Sequence, residues 1–462
     1  MLHPLVILLI GIVVVVGMII ALRVNAFIAL ITAAIVVSLL SAGELGEKIS
    51  RVAEAFGASA GKIGIVIAMA AVIGKCLMDS GAADRIVRSF LKALGEKNAS
   101  VALMGSGFVL SVPVFFDTVF YLLVPLARSL WRRTRHNYVL YVTAIGCGAA
   151  ITHTLVPPTP GPLAMAQFLG IDLGVMIGMG LLTALPTAMV GLLACGMMNR
   201  LFDIPMRPYS GEVEPELLAD DQLPSLWLSL LPIALPVVMI STNTFAGMLV
   251  GDELEGAMQS GRVFNWLGVT ALLGDPNLAL LVSAGIAMFT LVRQRGLTLK
   301  ELAKTTETAL MSGGVIILIT AAGGAFGAML GKSGVKETIQ GMVDVEGGSL
   351  GMTMLLVCFG VAAVLKVAQG SSTVSMMVTA SMIAAMGFSS GTLGYHPVYL
   401  ALAIGNGSLV GSWMNDSGFW IFARMSGFTE VETLKAWSTL LVIVAFAGLA
   451  FTLALAWLIP LA

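Results

Sequence analysis

An all-α polytopic membrane protein with two inverted-topology repeats is what this sequence predicts, and three observations lead there. Apolar residues make up 58% of the 462 and charged residues only 11%, with a mean hydropathy of +0.96. Soluble domains carry roughly 25% charged residues. Runs long enough, or nearly so, to cross ~30 Å of hydrocarbon as helices recur along the whole chain. Two apolar stretches are broken in their middles by polar and helix-breaking residues, at Thr152–Pro162 and at Gly405–Gly418. Lipid offers a freed N–H or C=O no partner, so irregular backbone at membrane depth survives only where it is buried or lines a cavity. Matching breaks in two halves of a membrane chain point to a transporter's substrate site.

The elements follow from taking basic loops as cytoplasmic. Pro4–Leu22 runs into Arg23 without a small-residue cleavage pattern, so it reads as the first membrane helix and not as a signal peptide. Segments 26–42 and 57–78 follow, with a loop at 43–56 between them. Both flanks of 99–127 are basic: Arg85, Arg88, Lys92 and Lys97 precede it, and Arg128, Arg132, Arg133 and Arg135 follow. It must cross an even number of times yet is too short for two full helices. That predicts a re-entrant hairpin from the cytoplasm, its tip near Ser111–Thr118. The broken helix 138–162 then goes out and 173–198 returns, completing a repeat over 1–198.

A linker over 199–224, with Glu212, Glu214, Glu216, Asp220 and Asp221, leads into a second repeat over 225–462. Segment 225–250 goes out to an acidic loop at Asp252, Glu253 and Glu255. Segment 277–292 comes in to Arg293, Arg295, Lys300 and Lys304, and 308–330 goes out. Segment 350–388 then has both flanks outside and carries Gln369-Gly370-Ser371-Ser372-Thr373 in its middle, which predicts a second hairpin from the opposite face. The broken helix 398–418 and segment 436–460 finish the chain. The halves are weakly similar: Gly74–Gly81 resembles Gly327–Gly334, and Thr152-His153-Thr154 falls beside Gly405-Asn406-Gly407. Each half has about five crossings plus one hairpin, and five is odd, so the second is inverted relative to the first.

The breaks and tips suggest the chemistry. A broken helix aims free N–H groups and a partial positive charge at the cavity, which suits an anion. A hydroxylated carboxylate is the natural complement, with its hydroxyls meeting Ser111, Thr118, Thr152, Thr154, Thr159, Gln369, Ser371, Ser372, Thr373, Asn406, Ser408 and Asn415. Lys366, just before the second tip, either pairs with the substrate carboxylate or neutralises Asp117 or Asp416. Ionisable groups at membrane depth are costly and usually functional. His153 titrates near neutral pH when unperturbed, so it is a candidate proton carrier, and Asp117 and Asp416 are candidates beside it. The carboxylates have a plainer alternative, capping a half-helix N-terminus. The hydroxyls have one too, bonding back to the i−4 carbonyl.

Other classes find little support. The net charge is −1, and no basic tract with interleaved aromatics suggests nucleic acid. Cys76, Cys147, Cys195 and Cys358 are scattered singly, without metal-ligand spacing, and read as small buried hydrophobes. No P-loop, hydrolase elbow or HExxH motif occurs, and no cofactor is expected. Three rivals stay open. One is sodium coupling through the carbonyls and hydroxyls of 369–373 and 405–408. The others are a passive channel and a membrane-embedded enzyme built on Asp117 and His153.

The same residues carry a family resemblance. Val112-Pro113-Val114-Phe115-Phe116-Asp117, Thr152-His153 with Pro157-Pro158-Thr159-Pro160-Gly161-Pro162, Gln369–Val374, and Asn415-Asp416-Ser417-Gly418-Phe419-Trp420 resemble the gluconate:proton symporter family, the GntP-type permeases. The resemblance covers essentially the whole chain. It implies uptake of gluconate or a related sugar acid, driven by the proton gradient, in the bacterial cytoplasmic membrane. The family is similar to the wider ion transporter superfamily, which implies an elevator-type homodimer with opposed hairpins and broken helices in its transport domains. Family members often carry histidine where Thr159 stands, so any role of that side chain passes here to His153 or is absent.

Overall fold

The computed structural model describes residues 2–207, 218–249, 266–335, 337–338 and 351–461. The expected acidic loop at Asp252, Glu253 and Glu255, the linker residues Glu212, Glu214 and Glu216, and residue 350 at the start of the second hairpin lie outside them. Regular structure among the described residues is entirely helical. Eight helical stretches there are long and apolar enough to cross a membrane.

The first half opens with α1 (Pro4–Ile20), α2 (Ala26–Leu40) and the 33-residue α3 (Glu47–Asp79). The stretch 43–56, expected as a loop, is mostly the first turns of α3. Its apolar side buries Val52 and packs Phe56 edge-on to Phe27, while its basic side closes the end of α2. Lys48 Nζ donates to Leu39 O at 2.7 Å, and Arg51 donates to Ser38 O at 2.5 Å and Ala42 O at 2.7 Å. These cations satisfy carbonyls that a helix C-terminus leaves free. The amphipathic α4 (Ala82–Leu94) carries Arg85 and Arg88, and α5 (Ala99–Leu110) and α6 (Phe116–Thr134) form the first helix pair. Next come α7 (Tyr138–Leu155), α8 (Pro160–Phe168) and α9 (Leu173–Leu201).

In the second half, α10 (Leu226–Leu249), α11 (Trp266–Leu273) and α12 (Pro276–Arg295) precede the 34-residue α13 (Leu299–Lys332). The latter begins well before the expected position 308 because Thr298 and Glu301 form a capping box. Glu301 N–H donates to Thr298 Oγ1 at 3.3 Å, and Thr298 N–H donates to Glu301 Oε2 at 2.8 Å. The second helix pair is α14 (Gly351–Gln369) and α15 (Ser372–Ala385), followed by the short α16 (Ser390–Leu393). A second broken pair, α17 (Val398–Gly407) and α18 (Ser417–Ser426), leads to α19 (Glu430–Thr433), a π turn and α20 (Thr439–Leu458).

Lengths explain why the breaks matter. At 1.5 Å per residue, α5, α8, α15 and α17 run only ~14–21 Å, about half to two-thirds of a bilayer's hydrocarbon. Their ends therefore lie at depth and must find partners inside the protein. Small residues let the short helices approach closely. Where α5 crosses α7, a Cβ on Gly107 would stand 2.6 Å from Ile145 O, and one on Gly148 would collide with Met104 O.

Candidate functional site

Four interruptions define the site. The first tip runs from Ser111 to Phe115, and the first break from Val156 to Thr159, where the Pro157–Pro158 peptide is cis. The second tip is Gly370–Ser371, and the second break runs from Ser408 to Asp416. Each precedes a helix N-terminus, but the four termini are finished differently. Ser371 caps α15 by accepting from Val374 N–H at 3.3 Å, and Asp416 caps α18 by accepting from Gly418 N–H at 3.0 Å. The N-termini of α6 and α8 have no side-chain cap. Pro160 and Pro162 also deprive α8 of two donors, whereas the first turn of α6 keeps its N–H groups without a side-chain cap.

A cavity of about 420 Å³ opens where these elements meet, within the ~300–1,000 Å³ usual for small-molecule sites. The first tip contributes Phe115, Phe116, Asp117 and Thr118, and the second contributes Ser371, Ser372 and Thr373. From the first broken pair come Ala150, His153 and Thr154, on the last turns of α7 and not on α8. From the second come Asp416, Ser417 and Gly418, with Lys366 beside them.

The charged groups sort into a fixed pair and freer partners. Lys366, only 2% exposed, donates to Asp416 Oδ2 at 2.6 Å and to Gly370 O at 2.5 Å. Ser412 Oγ donates to the same carboxylate oxygen at 2.5 Å. Asp416 is thus both a cap and the counter-ion of Lys366. Asp117, in the first turn of α6, makes no hydrogen bond or ion pair among the described residues and faces the cavity. His153 is buried, its Nδ1 has no hydrogen-bond partner among the described residues, and its ring stands edge-on to Phe115 at 6.2 Å.

The structure brings Asp117, Thr118, His153, Thr154, Lys366, Ser371, Ser372, Thr373 and Asp416 to one cavity. The remaining residues singled out from the sequence stand outside its lining. Thr152 Oγ1 bonds back to Gly148 O at 3.2 Å, and Ser408 Oγ donates to Gly405 O at 2.7 Å. Thr159 Oγ1 closes the first break by donating to Val156 O at 2.7 Å and His153 O at 3.1 Å. Gln369 donates to Ser371 O, Asn415 donates to Val367 O, and Asn406 Nδ2 joins Leu402 O and Thr452 Oγ1. Ser111 is fully buried, and its hydroxyl has no partner among the described residues. Sequence reasoning missed the far wall: Ser312, Ile316 and Ile319 of α13, with Met377, Trp437 and Leu441. An unbroken helical run such as α13 gives no signal of its own, although spacing at i, i+4 and i+7 puts its three residues on one face.

Comparison with known proteins agrees with this architecture. The profile described as GntP family permease matches residues 3–459. A gluconate permease of Pseudomonas aeruginosa is 32% identical over 461 residues, covering 98% of each chain. The high-affinity gluconate transporter of Escherichia coli K12 is 31% identical over 447 residues, covering 96% of this chain and 98% of that protein. Among solved structures, the efflux pump MtrF of Neisseria gonorrhoeae superposes with a TM-score of 0.66 at 14% identity, covering 93% of this chain and 94% of that one. At that identity the likeness speaks for the fold alone. The helical spans and the full-length match together make this chain a multi-pass membrane protein that belongs to the GntP family of permeases.

Proposed function

We propose that this permease imports gluconate or a related small sugar acid across the bacterial cytoplasmic membrane by proton symport. The observation that carries the reading is the make-up of the cavity. The free N–H groups of the α6 N-terminus suit a carboxylate, and Thr118, Ser372 and Thr373 offer hydroxyls to a polyol chain, while Thr154, whose Oγ1 donates back to Ala150 O at 3.2 Å, is left to accept. Asp117 and His153, unbonded at the same cavity, are the candidate proton carriers, whereas Asp416 is held by Lys366. The names of the gluconate relatives support this substrate class.

Two inverted repeats, a homodimer and an elevator-type movement of the tips and broken helices complete the proposal. The test is uptake of labelled gluconate by the reconstituted protein. An inward proton gradient should stimulate it and an uncoupler abolish it. Uptake that follows sodium and ignores pH would replace the proton with sodium as the coupling ion.

A further inference from the structure

A second cavity, of about 240 Å³, lies beside the same two helices that wall the first. Ser312, Ile316 and Ile319 of α13 face the first cavity, and Gly323, Gly327 and Gly331 face the second. Their spacing of three or four residues makes one continuous face. On the other side, α15 gives Ser372, Thr373 and Met377 to the first cavity, then Ser381, Ala384 and Ala385 to the second. The two spaces are parted where Thr320 Oγ1, which donates to Ile316 O at 2.8 Å, shares that proton with Met377 Sδ at 3.3 Å. Among the described residues, this weak bond to a thioether is the one side-chain hydrogen bond between α13 and α15.

We propose that this face of α13 holds two stations for the substrate site, the present one at Ser312–Ile319 and a second at Gly323–Gly331. Transport carries the tips from one to the other, past the Thr320–Met377 contact. The inference rests on the transport reading above and locates its track. The distance between stations is about three helical turns, roughly 16 Å along α13. Three features fit a station and not merely a packing defect. The glycines leave room on α13 where the first station has isoleucines. Ser59 Oγ, buried without a hydrogen-bond partner among the described residues, packs against the bare Cα of Gly324, so an idle polar group abuts one of the residues lining the second station. The helices that would move are bound to each other: α8 and α15 interlock where a Cβ on Gly161 would collide with Met376.

Filling the second station tests this. A Cβ on Gly331 meets nothing within 4 Å, so Gly331→Leu adds bulk to the space without a backbone clash, and Ala328→Leu fills it from the next position. Each purified variant is titrated with gluconate by thermal shift, then reconstituted for labelled-gluconate counterflow. Counterflow should fall by about tenfold or more while affinity stays within about threefold, because movement is blocked and binding is not. Gly331→Ala should move at nearly the parent rate. Parent-like counterflow in either folded leucine variant would overturn the second station. Binding lost together with counterflow would also overturn it, since the effect would then lie at the first site. A parent protein that neither binds nor exchanges any sugar acid would instead sink the transport reading.

Discussion

Lys366 Nζ stands 2.6 Å from Asp416 Oδ2, tying the end of α14 to the start of α18 inside the protein. Both partners are buried, at 2% and 9% exposure. Removing one member of such a pair strands the other as an uncompensated charge, at a cost of about 3–5 kcal/mol. Lys366→Met and Asp416→Asn are each expected to lower the melting temperature sharply. The double variant should recover much of the loss, because no charge is then stranded. Additive losses in a thermal double-mutant cycle would show that the pair is not coupled.

Gly370 makes that joint sterically specific. Its φ of +87° lies in the left-handed region, and a Cβ there would collide with Asn415 O. The backbone conformation alone costs an L-residue about 1–2 kcal/mol. Gly370→Ala must also push the tip off the second break, so Lys366 loses its carbonyl partner along with its alignment to Asp416. Both thermal stability and uptake should fall, and a variant with parent-like values of both would refute this account of the tip.

The interruptions were legible because their signals are local. Prolines at 157, 158, 160 and 162 deny the helix donors, the glycine at 370 admits a left-handed backbone, and polar residues inside apolar runs add competing hydrogen-bonding groups. The far wall of the cavity was not legible, since Ser312, Ile316 and Ile319 sit in an uninterrupted helix whose sequence does not say which face meets the tips. Charge is only partly legible for a similar reason. Arg128 belongs to the basic flank that follows 99–127, yet it lies within α6, 1% exposed, and donates to Arg207 O at 2.7 Å. A basic run reports which side of the membrane a segment is on, not which of its cations the linker will bury.

The linker's second anchor carries a modest pH dependence. Arg88 donates to the exposed Asp220 carboxylate and holds it below the usual carboxylate range. A depressed carboxyl stabilises the fold above its ordinary pKa, and that contribution disappears as pH falls through the lower folded value. Exposure keeps it small. Arg85 anchors the same segment through three bonds to carbonyls, of Asp220, Leu223 and Pro224. In thermal unfolding at pH 7, Asp220→Asn should therefore matter less than Arg85→Ala. The small deficit of Asp220→Asn against the parent should vanish on acidification. A deficit that grows below pH 4 would contradict the assignment.

Asp117 offers the sharpest test of coupling. It faces the cavity without a hydrogen bond or ion pair among the described residues, whereas Asp416 is engaged by Lys366, Ser412 and Gly418. A proton carrier must gain and lose its proton as the site changes sides, and a carboxylate already bound to an ammonium is poorly placed to do so. Asp117→Asn preserves shape but cannot cycle a proton. If Asp117 carries the proton, the variant should still exchange labelled for unlabelled gluconate across the bilayer, because exchange needs binding and movement only. Accumulation against a gradient should fall by about tenfold or more, and its pH dependence should flatten. His153→Ala separates the alternatives: if the imidazole is the carrier, that variant and not Asp117→Asn loses accumulation while keeping exchange. Retained, pH-dependent accumulation in both variants would place the coupling proton on neither side chain.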